Sequence, residues 1–325
     1  MVLISSVIFD DMGLFFFSLL FALPYLFPIN EATLNPNFLP YNNSYLDTIN
    51  GMSIHYRVFN PPHPIKGNIF LVHGFSASTF SWRNNYDTLT SNGYRVVAVD
   101  VPAFGYSDKR THFNNSTTER SKTFYQLINK IDSLHKWNLM GHSMGGGIVC
   151  TMAAMFPNKT QSLIMVDGVG GNIQKSKCNI LVSTLLCNRF TYRISEVVLH
   201  NFFLKPKQFK KLLSSAYSGE ASENAVSGYM DPFRLKNSAA AIFSMSGKSF
   251  ETADVNIEKI NSPVLLFWGT KDTWLPKSQG DNFKRKFPET QYIQLENVGH
   301  CGMETHSRVF NSYLISFLKT NGYFN

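Results

Sequence analysis

Cysteine is scarce in this chain: four residues in 325, at positions 150, 178, 187 and 301, with no Cys-x-x-Cys pair and no zinc-ligand spacing among them. A dithiol redox motif and a structural zinc module are therefore excluded. Cys150 falls in a small-residue helical stretch and reads as a buried small apolar side chain. Cys178 and Cys187 can pair if the protein is exported, though nothing in the sequence requires it. Acidic residues are scarce in one quarter of the chain. Residues 171–250 hold four of them against eleven Lys and Arg, while the whole chain carries a net charge of +8. The excess suits a surface that meets anionic lipid or an acidic partner, and equally a solvated basic face of helices. No recognition motif accompanies it, which excludes a nucleic-acid partner.

Charge is missing altogether from residues 12–29, a Leu- and Phe-rich run. Its length is about the minimum for a membrane span, and Pro24 and Pro28 weaken its far end as a helix. A secretory signal would begin with basic residues and end at a small-residue cleavage site. Here Asp10 and Asp11 precede the run and no such site follows. The favoured reading is an N-terminal membrane anchor. The alternatives are an uncleaved or atypical signal of an exported protein, and an apolar arm packed on the protein itself.

Hydrophobic residues make up 44% of the chain, enough for the packed core of one large α/β domain with an insertion. After an Asn- and Pro-rich linker at 30–44, residues 45–49 and 52–58 form a hairpin around Asn50-Gly51, a pair suited to a type I′ turn. Short apolar runs at 68–72, 95–99, 137–140, 162–166, 264–268 and 291–295 read as buried strands. They alternate with helical periodicity at about 82–92, 117–134, 144–155, 277–287 and 304–319. Such alternation predicts an α/β fold: a mostly parallel, twisted sheet flanked by helices, with its site at the carboxyl ends of the strands. From 171 to 254 the alternation stops and several helices are inserted, which predicts a cap over the site. The expected organisation is an anchor and linker at 1–44, a core at 45–170 and 255–325, and a helical cap at 171–254.

Five motifs stand at strand ends. They are His73-Gly74-Phe75, Asp100-x-Pro102-x-Phe104-Gly105-x-Ser107-Asp108, Gly141-x-Ser143-x-Gly145, Gly269-x-x-Asp272 and Gly299-His300. The third has a mechanical rationale. A nucleophile on a tight strand-to-helix turn occupies strained backbone, flanking side chains would collide with neighbouring elements, and the helix N-terminus beyond it faces a developing oxyanion. Taken alone, the pattern also suits a Gly-rich loop with a surface serine. Of the nine histidines, His300 directly follows the last strand, while His73 and His142 lie inside glycine motifs and His306 falls on the final helix.

In this order the motifs resemble the α/β-hydrolase superfamily, over about residues 45–170 and 255–320, and most closely its serine esterases and membrane-anchored monoacylglycerol lipases. The resemblance implies a catalytic triad of Ser143, Asp272 and His300, and an oxyanion hole from the backbone N–H groups of Met144 and Phe75. No cofactor or metal is implied. Asp167, after another strand, is a second candidate acid, and Asp100 and Asp108 are expected to organise loops. Ala103 stands where many relatives have glycine, which predicts a local loop adjustment. The implied activity is that of a serine carboxylesterase or lipase acting on a small apolar, lipid-like ester, associated with membrane through residues 12–29 and the basic cap. A C–C bond hydrolase or thioesterase using the same triad stays open, with Arg189, Arg193 or Arg234 available to a substrate carboxylate. So does a non-catalytic binding protein of this fold.

Overall fold

The computed structural model describes residues 24–27, 29, 39–168, 189–245 and 256–324. Most of the apolar run at 12–29, and both Cys178 and Cys187, lie outside them.

The chain enters through the hairpin of β1 (Ser44–Ile49) and β2 (Met52–Phe59), whose turn residues Asn50 and Gly51 have φ of 50° and 75°. Positive φ at both positions is what Asn-Gly tolerates and most residues do not. Six further strands follow: β3 (Gly67–Val72), β4 (Tyr94–Val99), β5 (Trp137–His142), β6 (Thr160–Val166), β7 (Val264–Gly269) and β8 (Gln291–Leu295). They form one sheet in the order β1-β2-β4-β3-β5-β6-β7-β8. The hairpin joins antiparallel, and all pairs from β4 to β8 are parallel. Every residue of β3, β5 and β7 is buried, which explains why their sequences are mostly apolar on both faces: both faces of the sheet are covered.

The helices are α1 (Tyr86–Ser91), α2 (Thr117–Ile131), α3 (Met144–Met155), α4 (Arg189–Val198), α5 (Pro206–Tyr217), α6 (Glu223–Met230), α7 (Ser238–Met245), α8 (Ser278–Lys286), α9 (Gly302–Thr305) and α10 (Ser307–Asn321). On one face of the sheet α1 and α10 pack through Tyr86, Leu89, Phe310 and Leu314. On the other, α2, α3 and α8 pack through Phe124, Leu127, Ile148 and Phe283. Helices α4 to α7 are the inserted cap, and Phe209, Leu213, Val226 and Tyr229 extend the first core cluster into it.

Three helix expectations need correction. The helix expected to run to 134 ends at Ile131, where Asp132 Oδ1 accepts the N–H groups of Leu134 and His135. The helix expected over 82–92 is a 3-10 turn (Thr79–Trp82) followed by α1. Between them the buried Asn85 side chain donates to the Met303 carbonyl and to Asn311. The closing helix starts earlier than 304 and is interrupted at His306, whose φ of −126° leaves the helical region. In the loop after β4, Ala103 is buried and holds a left-handed φ of 79°, a strained conformation for a residue with a Cβ.

Candidate active site

Ser143 sits at the tip of the β5–α3 turn with φ 52° and ψ −119°, a conformation L-residues rarely hold. Two glycines make the turn possible. A Cβ at Gly141 would lie 2.2 Å from the Gly145 carbonyl oxygen, and one at Gly145 would lie 2.2 Å from that of Val72. The Ser143 N–H donates to the Val166 carbonyl (2.9 Å), tying the tip to the neighbouring strand end. Met144 opens α3, so its N–H is among those the helix leaves unpaired at its N-terminus.

The loop after β3 lies against this tip: a Cβ on Gly74 would stand 3.1 Å from Ser143 Cβ. His73 braces the loop by donating from Nδ1 to the Gly74 carbonyl (2.7 Å) and accepting the Val101 N–H at Nε2 (2.9 Å). Burial holds its pKa below the ordinary imidazole value. Phe75 packs edge-on against Phe104, with ring centroids 5.2 Å apart.

Asp272 and His300 come together from the loops after β7 and β8. His300 Nδ1 donates to Asp272 Oδ2 at 2.7 Å, and Asp272 Oδ1 accepts the N–H groups of Trp274 (2.7 Å) and Leu275 (3.0 Å). The carboxylate is thus oriented through both oxygens and the imidazole is fixed with its proton on Nδ1, leaving Nε2 for chemistry. His142, next to the serine, donates from Nε2 to the His300 carbonyl at 2.7 Å, and the two rings lie 4.7 Å apart. Among the described residues neither the Ser143 hydroxyl nor His300 Nε2 makes a hydrogen bond, so the structure joins His300 to Asp272 but not to Ser143.

Asp167, the rival acid, is in the same place and differently held. It is fully buried, its Oδ1 accepts the Gly269 N–H (2.6 Å), and its Oδ2 has no partner. Burial, reinforced by the charge of Asp272, raises its pKa well above the usual carboxyl value. One atom each of Asp167, Asp272 and His300 lies within 4.8 Å of the others, close enough to suggest a metal. Two of these three residues, His300 and Asp272, are already hydrogen-bonded to each other through Nδ1 and Oδ2.

A second Ser–His–Asp line is present. His55 bonds Asp100 through Nδ1 and Ser44 through Nε2, each at 2.7 Å. All three side chains are buried, Ser44 opens an edge strand with no helix behind it, and its Oγ already accepts the Tyr41 N–H. Asp100 also accepts the Thr79 and Tyr106 N–H groups, the loop-organising role expected of it. Asp108 likewise accepts the Ser53 and Arg110 N–H groups.

Between the cap and the β3 loop lies a cavity of about 940 Å³. Ser76 of the β3 loop borders it together with Ile194, Val198, Leu199, Phe209 and Ile242, while Ser143, Asp272 and His300 are not among its described lining residues. No Arg, Lys, Asp or Glu is among its described lining residues. Arg193 is turned away, donating to the carbonyls of Pro24 and Phe27.

Two features of the site were not foreseen from sequence. Trp274 stacks on the His300 ring (5.6 Å between centroids, 20° between planes), and an aromatic two residues past Asp272 on a strand-end loop is the signal that could have found it. Glu304 is buried and receives Arg83, Tyr217 and Tyr229, joining the core to the cap. Its partners are so distant in sequence that no local signal marks it.

A family profile described as "alpha/beta hydrolase fold" matches residues 67–307. The chain is 26% identical over 259 residues to a monoacylglycerol lipase of Bos taurus, covering 78% of this chain and 75% of that protein. It is 22% identical over 281 residues to 2-hydroxy-6-oxononadienedioate/2-hydroxy-6-oxononatrienedioate hydrolase 1 of Pseudomonas putida, covering 82% and 92%. Among solved structures a bacterial membrane phospholipase A has the same fold, with a TM-score of 0.65 at 23% identity over 85% of this chain and 86% of its own.

Proposed function

Because the chain belongs to the alpha/beta hydrolase fold family, we propose that it is a serine hydrolase of carboxylic esters with an apolar, lipid-like acyl group. Ser143 Oγ attacks the ester carbonyl while His300 Nε2 takes its proton, and Asp272 holds the imidazole and stabilises the imidazolium. The oxyanion meets the backbone N–H groups of Met144 and Phe75, each such donor being worth about 3 kcal/mol in the transition state. Collapse expels the alcohol, protonated by His300, and leaves an acyl-enzyme on Ser143. A water activated by the same imidazole releases the acid.

The observation that carries the choice of substrate is the wall of the cavity. It suits a hydrocarbon chain, and its described lining residues offer no cation to a substrate carboxylate. The C–C bond hydrolase reading, suggested by the Pseudomonas relative, needs such a cation. Arg189 and Arg234 are exposed and Arg193 is spent on the N-terminal segment. The relative from Bos taurus supports the ester reading. Residues 12–29 we read as the membrane anchor, or as the signal of an exported protein.

Ser143→Ala should abolish hydrolysis of p-nitrophenyl esters and labelling by a fluorophosphonate while leaving the circular dichroism unchanged. Faster cleavage of a vinylogous diketone acid than of any ester would favour the C–C reading. Absence of labelling in the folded wild type would leave a binding protein.

A further inference from the structure

The exposed apolar side chains of the cap are gathered in one place. Phe202 is 65% exposed, Leu212 48%, Val198 38% and Ile194 36%, and all four border the cavity. They come from α4, from the π-helical turn that follows it (Leu199–Phe203) and from α5. Tyr25, Leu26 and Phe27, exposed as well, are tied to the same helix. Arg193 of α4 donates to the Pro24 carbonyl at 3.1 Å and to the Phe27 carbonyl at 2.8 Å. In sequence these residues end the uncharged run at 12–29. Three lysines at the start of α5 add unpaired positive charge. Lys205, Lys207 and Lys211 are exposed, and none has an acidic partner within 4.0 Å among the described residues. Lys210, by contrast, pairs with Glu220 and Glu223.

A cluster of exposed large apolar groups is unfavourable in water unless something covers it. Bilayer interfaces cover such faces, and unpaired lysines alongside add attraction to anionic headgroups. We propose that the cap mouth is a membrane-docking face that prefers anionic bilayers: Phe202 and Leu212 dip among the acyl chains, the three lysines meet the headgroups, and the substrate's acyl chain passes from the bilayer into the cavity. The substrate's route rests on the ester-hydrolase reading. The docking can be measured apart from turnover.

The test is flotation of the purified full chain with vesicles of phosphatidylcholine alone and of phosphatidylcholine mixed equally with phosphatidylglycerol. The wild type should float far better with the mixed vesicles, and added salt should erode the difference. The triple variant Lys205→Gln, Lys207→Gln, Lys211→Gln should lose affinity for the mixed vesicles on the order of a hundredfold, and Phe202→Asp should lose binding as well. The lysine variant should turn over water-soluble p-nitrophenyl acetate like the wild type. Equal flotation of wild type and variants on both vesicles would overturn the proposal, because residues 12–29 would then account for all binding. So would failure of the wild type to float, the outcome expected if an acidic protein covers the face. Charge-dependent flotation without ester turnover or fluorophosphonate labelling would leave the docking face standing and remove the hydrolase reading.

Discussion

The carboxyls at 167 and 272 lie close together beside one imidazole and differ in how they are held. Asp272 receives two backbone N–H groups on one oxygen and the imidazole N–H on the other. Asp167 receives one N–H and keeps one oxygen unpaired in the interior. The first arrangement favours a carboxylate that can stabilise an imidazolium, and the second favours a neutral acid. Asp272→Asn should therefore lower kcat on p-nitrophenyl esters by about 10⁴, because an amide there selects the wrong tautomer. Asp167→Asn should stay within a few-fold of wild type. The reverse ranking would move the acid to the strand before. Sequence favoured Asp272 and kept Asp167 as a second candidate, but the physical reason was not legible there, since it lies in the backbone N–H groups of the 272–275 loop that surround Asp272.

At the level of elements, the cap is fastened to the catalytic loops by one helix end. The C-terminal turn of α5 accepts the His300 N–H at the Ala216 carbonyl (2.7 Å), and Ser218 donates to the Lys271 carbonyl (2.9 Å). Tyr217 of α5 and Tyr229 of α6 both donate to Glu304, which is also paired with Arg83 of the core. Burial raises the Glu304 pKa although Arg83 and both tyrosines favour its charge. Removing this carboxylate strands a guanidinium and two buried hydroxyls. Glu304→Ala should therefore destabilise the fold by ~3 kcal/mol in urea titrations and impair turnover through the loosened His300 loop. Glu304→Gln, which keeps an acceptor, should recover much of both. Wild-type stability in the alanine variant would show that the cap does not depend on this contact. Sequence led only to the expectation of several helices over 171–254, and the contact that docks α5 and α6 joins residues 75 to 221 positions apart.

For the molecule as a whole, the strands were legible because a sheet covered on both faces needs mostly apolar runs. Asp272 and His300 were expected at neighbouring strand ends, where such a sheet delivers its chemistry, and the structure bonds the two to each other. The cavity was not legible, because it is an interior made by packing α4, α5 and α7 over the β3 loop, and amphipathic helices can be stacked in many ways. Carboxyls of opposite tendency also set how stability varies with pH. Burial of Asp132 would raise its pKa, but hydrogen bonds from Asn68, His135 and Leu134 outweigh that and hold it below the ordinary value. Its stabilisation is present above about pH 4 and is lost as the pH falls. Asp167 has the opposite sign. Its folded pKa is raised, so the folded chain keeps a proton that the unfolded chain releases near about pH 4. Stability is then full below that point and declines as the pH rises through the folded value. Asp167→Asn deletes the decline, so its advantage over wild type in urea midpoints should be least near pH ~4 and grow steadily toward pH ~8. Asp132→Asn should trail wild type at neutral pH and approach it in acid. A difference between wild type and Asp167→Asn that does not change with pH would mean that the carboxyl at 167 is not held as the neutral acid its burial requires.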